Sequence, residues 1–179
     1  MKYTSSLKPK LIYVFRINDD THLGCLKIGE ATLNDADVVG LTPNSSLLNK
    51  AAKERINSYT QTAGIAYDLL HTEVAIHAIG GQIRGFSDHE VHAVLSRSGI
   101  ERKLFDKENK ANEWFITDLE TVKKAIAAIK EGKDSLHASE VSENDNPIIF
   151  RPEQKEAIKK TIKQLRRGNE MLWFAKMRF

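Results

Sequence analysis

Two short apolar runs, residues 11–17 (LIYVFRI) and 23–28 (LGCLKI), open the patterned part of the chain. Both are rich in β-branched and aromatic residues, and Asn18-Asp19-Asp20 between them is turn chemistry, so they predict an antiparallel hairpin. From Gly29 to about Asn44 the chain holds Gly, Pro, Asn and Asp with little periodicity and reads as a loop. Leu47, Leu48, Ala51, Ala52, Arg55, Ile56 and Tyr59 then recur at helical spacing. Residues 67–79 predict a third strand, closed by Gly80-Gly81. Ser87 stands three residues before Glu90, the spacing of a capping box, and Val91, Val94 and Leu95 give the helix that follows an apolar face up to Gly99. Trp114-Phe115-Ile116 predicts a short strand. Asp118 then caps a helix striped by Val122, Ala125, Ile126 and Ile129, with Gly132 at its end.

Beyond Gly132 the pattern changes. Residues 133–146 are polar and acidic, with Leu136 and Val141 their sizeable apolar side chains, too few to offset the entropy of ordering them. This predicts a flexible linker over 133–149. Arg151-Pro152-Glu153 opens a further helix, with Ala157, Ile158, Ile162 and Leu165 on one face and Gly168 stopping it. Residues 171–175 (MLWFA) are a compact apolar run of the kind found in buried strands of parallel sheets. The fold class is therefore α+β: a small three-stranded antiparallel sheet flanked by helices over 1–132, the linker, and a helix–strand fragment of an α/β domain over 150–179.

Composition narrows the setting. At 179 residues, with 41% hydrophobic and 28% charged side chains, the chain resembles an ordinary soluble globular protein. No apolar run approaches the ~20 residues of a membrane span, and residues 1–10 hold no signal-like segment. A lone cysteine, Cys25, excludes an internal disulfide and a cysteine-rich zinc site, so a cytoplasmic location is expected. The net charge of +3 is unevenly spread: residues 151–179 hold nine Lys/Arg and three Asp/Glu, leaving 18 and 21 in the first 150. Bulk charge therefore gives the first domain no general affinity for nucleic acid, and local placement must supply it.

Local placement is where the chemistry lies. Tyr13 follows Leu11-Ile12, and Lys27-Ile28-Gly29 follows on the second run; Arg55, Tyr59 and Glu90 come after, and Asn112-Glu113-Trp114-Phe115 closes the series. This order resembles the GIY-YIG nuclease family over residues 11 to about 131. Tyr13 matches the tyrosine of the first half-motif, with Leu11 in place of its glycine, and Ile28-Gly29 match the second, with Lys27 in place of its tyrosine, as in restriction-type and phage-type branches. The resemblance implies a Mg²⁺-dependent (or Mn²⁺-dependent) DNA endonuclease. Glu90 is its metal ligand, Arg55 its phosphate clamp, Lys27 or Tyr13 its general base, and Tyr59 a further active-site tyrosine. Metal, cation and proton acceptor together are what phosphodiester hydrolysis requires, since charge develops on phosphorus and on the leaving oxygen.

Each of these residues also has an ordinary structural role open to it. Glu90 is the back-reaching half of a capping box, Tyr13 a strand residue among apolar neighbours, Lys27 an edge charge and Arg55 a helix-surface charge. His89 and His92 flank Glu90, but His-Glu-Val-His is not the H-E-x-x-H of zinc enzymes.

The C-terminal stretch resembles a different family. Residues 150–154 (FRPEQ), a helix, and a run ending in Ala175-Lys176-Met177-Arg178-Phe179 are similar to the opening of a superfamily 2 helicase motor. In that family the glutamine, here Gln154, reads adenine. The expected whole is a nuclease–helicase protein of a restriction-like or repair-like system, with DNA and a motor in cis as partners. No ATPase activity is expected from residues that stop short of a phosphate-loop lysine. The alternative is a non-catalytic nucleic-acid-binding module that delivers DNA to the motor; a protein-recognition domain is a third reading.

Overall fold

The computed structural model describes residues 8–34, 38, 40–79, 82–105, 111–141, 152–165 and 168. The chain divides into two units, Met1–Asn146 and Pro147–Phe179.

In the first unit, β1 (Lys10–Arg16) and β2 (Cys25–Thr32) form the expected hairpin. Helix α1 (Ser46–Thr60) follows, then β3 (Asp68–Val74), β4 (Ile76–Ile79), β5 (Gln82–Gly85), α2 (Asp88–Arg97), β6 (Trp114–Ile116) and α3 (Leu119–Lys130). The architecture is α+β, around a four-stranded antiparallel sheet of order β3-β1-β2-β6. Alternation along the strands gives the sheet two apolar faces. One face carries Leu11, Tyr13, Phe15, Cys25 and Ala31 and is covered by Leu48, Ala52 and Ile56 of α1. The other carries Ile12, Val14, Leu26 and Ile28, beneath Val91, Val94 and Leu95 of α2 and Val122, Ala125 and Ile126 of α3.

Four expectations change. The sheet has four strands rather than three, because β6 joins β2 through Cys25–Lys27. The strand expected over 67–79 is two: at Ala75 the chain leaves the sheet, its N–H donating to Lys10 and its carbonyl accepting from Phe86, and β4 pairs instead with β5. The loop expected from Gly29 starts later, since Gly29 and Ala31 are buried while Glu30 and Thr32 lie further out, the two-residue period of a strand. Residues 133–141 are not a bare linker. Leu136 is buried in the core, its N–H donates to Ser98 Oγ at 2.9 Å, and Ala138–Glu140 make a 3₁₀ turn whose last carbonyl accepts from Lys124 Nζ. The rest of the predicted linker lies outside the described residues.

Strand β3 is an edge, and its outward groups are covered by Asn44, which takes a left-handed φ of 61°. Asn44 N donates to Thr72 O at 2.9 Å and Asn44 Oδ1 accepts from Thr72 N at 2.8 Å. Asn49 Oδ1 accepts from Thr72 Oγ1 at 2.8 Å, and Asn49 Nδ2 donates to Asn44 O. This staple fixes where α1 begins. Asn44→Ala would orphan the Thr72 N–H and leave in left-handed backbone a residue that tolerates it less well than asparagine, so urea unfolding should show a loss of about 1–3 kcal/mol. Asn44→Gly should recover only the backbone part.

In the second unit α4 (Pro152–Leu165) starts on its proline, where the missing N–H costs no helical bond. The Gln154 side chain and residues 171–179, where the buried strand was expected, lie outside the described residues. Among the described residues no helix is long and apolar enough to cross a membrane.

Candidate active site

The β1–β2 register sets Tyr13 opposite Gly29, and the tyrosine ring lies against that glycine: a β-carbon there would stand 2.5 Å from the phenol oxygen. The ring is thereby directed under α1, where Tyr13 Oη and Tyr59 Oη meet at 3.3 Å, 46 positions apart in sequence. Tyr59 is also the floor on which the two cations of the motif collect. Lys27 Nζ sits 4.7 Å from its ring centroid and Arg55 Cζ 5.7 Å. Arg55 and Tyr59 are one helical turn apart on α1, which is why one helix can bring both. Four of the five residues singled out from sequence, Tyr13, Lys27, Arg55 and Tyr59, thus surround one point.

Burial raises the pKa of the Tyr13 phenol, partly offset by the Tyr59 hydrogen bond and the Arg55 charge. The Tyr59 phenol is pushed up further, by burial first and then by its bond to Tyr13. Of the two phenols Tyr13 is the one that Arg55 and the Tyr59 bond favour in its ionised form, and either oxygen can donate in the bond between them.

Glu90 is not part of this group. It is exposed, and its Oε2 accepts from Ser87 N at 2.7 Å and from Ser87 Oγ at 3.2 Å, the capping role its spacing allows. The carboxylate of α2 that faces inward is Asp88, whose side chain is 9% exposed. Its carboxylate has one long side-chain contact, His89 Nδ1 to Oδ1 at 3.5 Å, on an exposed ring. Glu30 lies beside it, with Oε2 accepting from Asp88 N at 3.3 Å and its other oxygen paired with Lys10. Burial, then the Glu30 charge, raises the Asp88 pKa. Asp88 is also among the charges felt at Tyr13.

These elements meet at the open edge of β2. Strand β6 is only three residues long, and its last link to β2 is Ile28 N donating to Glu113 O at 3.1 Å. The Ile28 carbonyl instead accepts from His92 Nε2 at 3.0 Å, which brings the first turn of α2 to that edge. Burial lowers the His92 pKa, so the ring is neutral and its proton stays on this bond. Beside the edge an open groove of about 450 Å³ is lined by Glu30, Thr32, Ala51, Glu54 and Arg55. A larger groove of about 580 Å³ beside the β1–β2 turn, lined by Arg16, Asp19, His22 and Asp118 among others, includes none of the cluster.

No protein-family model, curated protein or solved structure matches this chain. The site therefore stands on its own geometry.

That geometry fits a hard divalent cation at Asp88. Among the described residues no three or more His, Cys, Asp or Glu side chains gather into a metal cage. Magnesium, however, needs only one or two carboxylates, completing its shell with water and substrate phosphate. Asp88 offers a nearly buried carboxylate, destabilised as an anion, beside a second carboxylate. A cation there would remove the repulsion. The sequence carried a signal for Asp88: the inward residues Val91 and Leu95 lie three and seven positions beyond it, whereas Glu90 falls off that face.

Proposed function

We propose that the first unit is a GIY-YIG-type, divalent-metal-dependent endonuclease that hydrolyses DNA phosphodiesters. The observation that carries this reading is the convergence of Tyr13, Lys27, Arg55 and Tyr59, distant in sequence, beside the nearly buried Asp88. Asp88 would hold Mg²⁺ or Mn²⁺, which would supply positive charge for the oxyanions that develop as the ester bond breaks.

The protein's own groups do the rest. Arg55, exposed at the mouth, clamps the phosphate with a planar guanidinium. Tyr59 donates to Tyr13, and Tyr13 takes the proton of the attacking water. Because burial raises its pKa, the fraction of Tyr13 able to act as base grows with pH, and cleavage should accelerate from pH 6 to 9. Lys27 carries a charge to the phosphoryl oxygens.

For the second unit we propose the opening of a superfamily 2 helicase motor acting in cis, on the sequence pattern around Gln154 and the observed α4.

The test is cleavage of supercoiled and branched DNA with Mg²⁺, with Mn²⁺ and with chelator. Arg55→Ala should lower the rate about 10²-fold, as loss of one charge-stabilising donor does. Its exposed position limits the stability change to about 0.5 kcal/mol. An unchanged rate would remove the site assignment. DNA bound but uncut at every metal concentration would favour the non-catalytic binding module.

A further inference from the structure

Glu113 has no part in the chemistry above, yet its partly exposed carboxylate reaches the Lys27 end of the cluster. Its carboxylate pairs with Lys27 Nζ at 3.0 Å, and the Lys27 side chain is only 18% exposed. Lys27 is thus enclosed between the Tyr59 ring on one side and Glu113 on the other. The position of Glu113 is set by the sheet: β6 pairs Lys27 with Trp114, and the Glu113 carbonyl accepts from Ile28 N. The Glu113 charge is also among those acting on Tyr13, Tyr59, Asp88 and His92.

A carboxylate and a DNA phosphate make the same charge-assisted contact to an ammonium. Lys27 cannot serve both at full strength in a space so enclosed. Lys10 is likewise held, by Glu30. Without metal, Lys10 and Lys27 are each paired with a carboxylate, Glu30 and Glu113, while Asp88 and Glu54 add further negative charge beside Arg55, so the site has little net attraction for a polyanion.

We propose that Glu113 is an anionic gate on Lys27, occupying the place that a DNA phosphate takes when substrate engages. The proposal rests on the nuclease reading and adds to it a specific regulation: Lys27 becomes available to DNA only when Glu113 is displaced. A strut would behave in the opposite way, since removing it would loosen Lys27 and weaken DNA binding.

The experiment measures binding of a short labelled duplex in chelator, between 50 and 200 mM salt, by fluorescence anisotropy. It compares the parent, Glu113→Gln, Lys27→Met and the double variant, using the full chain. Freed from Glu113, Lys27 neutralises one more phosphate, so Glu113→Gln should bind more tightly, and its plot of log K against log salt should steepen by about 0.9. In the Lys27→Met background the same substitution should leave the slope unchanged. Glu113→Ala repeats the comparison if the glutamine variant is unstable.

A slope unchanged or shallower in Glu113→Gln overturns the gate while leaving the nuclease reading intact, provided the parent binds and cuts. Steepening that persists without Lys27 also overturns it, as a general charge effect. Neither binding nor cutting by any of the four proteins sinks the nuclease reading and the gate with it.

Discussion

Asp88→Asn should abolish metal-dependent cleavage, with a loss of at least about 10³-fold, while Glu90→Gln should leave the rate within about twofold. The two carboxylates are two residues apart on α2 and differ in every respect that matters to a cation. Asp88 is nearly buried, faces the edge of β2 and has one long contact, to His89. Glu90 is exposed, and its oxygen is committed to Ser87 N and Oγ. Glutamine at 90 can still accept from Ser87, so that substitution should cost well under about 1 kcal/mol.

Stability should respond in a way that marks a functional group. The Asp88 pKa is raised in the fold, so the folded chain holds this proton more readily than the unfolded one. The ionised form is therefore the costly one. The contribution of Asp88 to stability improves as pH falls through its raised folded value, and is complete below the ordinary 3.8. An amide never ionises, so metal-free Asp88→Asn should be at least as stable as the parent at neutral pH. Adding Mg²⁺ or Mn²⁺ should raise the melting temperature of the parent at pH 7–8 and leave that of the variant unchanged, because a ligand stabilises only the state that binds it. Retained cleavage in Asp88→Asn, or its loss in Glu90→Gln, would return the metal to the position read from the motif order.

Different signals in the sequence select Glu90 and Asp88. The capping-box spacing from Ser87 and the order of motif residues both select position 90, and both are one-dimensional signals. The direction of a helix face is also legible, from Val91, Val94 and Leu95, and it selects 88. The hairpin and helices α1 and α3 were readable because their periodicity is local and strong. Strand β5 carries little signal because Gln82–Gly85 is short and polar. The burial of Leu136 has no local signature. It depends on Ser98, 38 positions away, taking its N–H. The Tyr13–Tyr59 contact is likewise set by how α1 crosses the sheet, and the Lys27–Glu113 pair by the docking of β6 on β2, which the strand-like composition of Trp114–Ile116 does not itself specify.

Gly29→Ala should cost both stability and most of the activity, although alanine is the better strand residue. The backbone at Gly29 needs no positive φ; what demands glycine is the ring across from it. An added β-carbon would stand 2.5 Å from Tyr13 Oη, 2.6 Å from Cζ and 2.8 Å from Cε2. The ring cannot pivot freely, because Tyr13 is 3% exposed and packed beside Phe15, with ring centroids 6.1 Å apart. It must shift as a body, and overpacking of this kind costs typically about 1–3 kcal/mol. The shift should break the meeting of Tyr13 with Tyr59, whose ring also meets Lys27 and Arg55, so the proposed proton acceptor and both cations should be disturbed together. Loss of positioned acid–base help alone is worth about 10²–10⁴ in rate. The first half-motif shows the converse. Leu11, where that pattern has glycine, is fully buried in the core and faces the small Ala31, so a large side chain is accommodated there. Leu11→Gly should therefore damage stability far more than it improves any site geometry. Urea unfolding and cleavage rates on Gly29→Ala and Tyr13→Phe separate the terms. Both should lose activity, but only the glycine variant should also lose stability to overpacking. Full cleavage by Gly29→Ala would mean that the Tyr13–Tyr59 pair is packing and that the proton acceptor lies elsewhere.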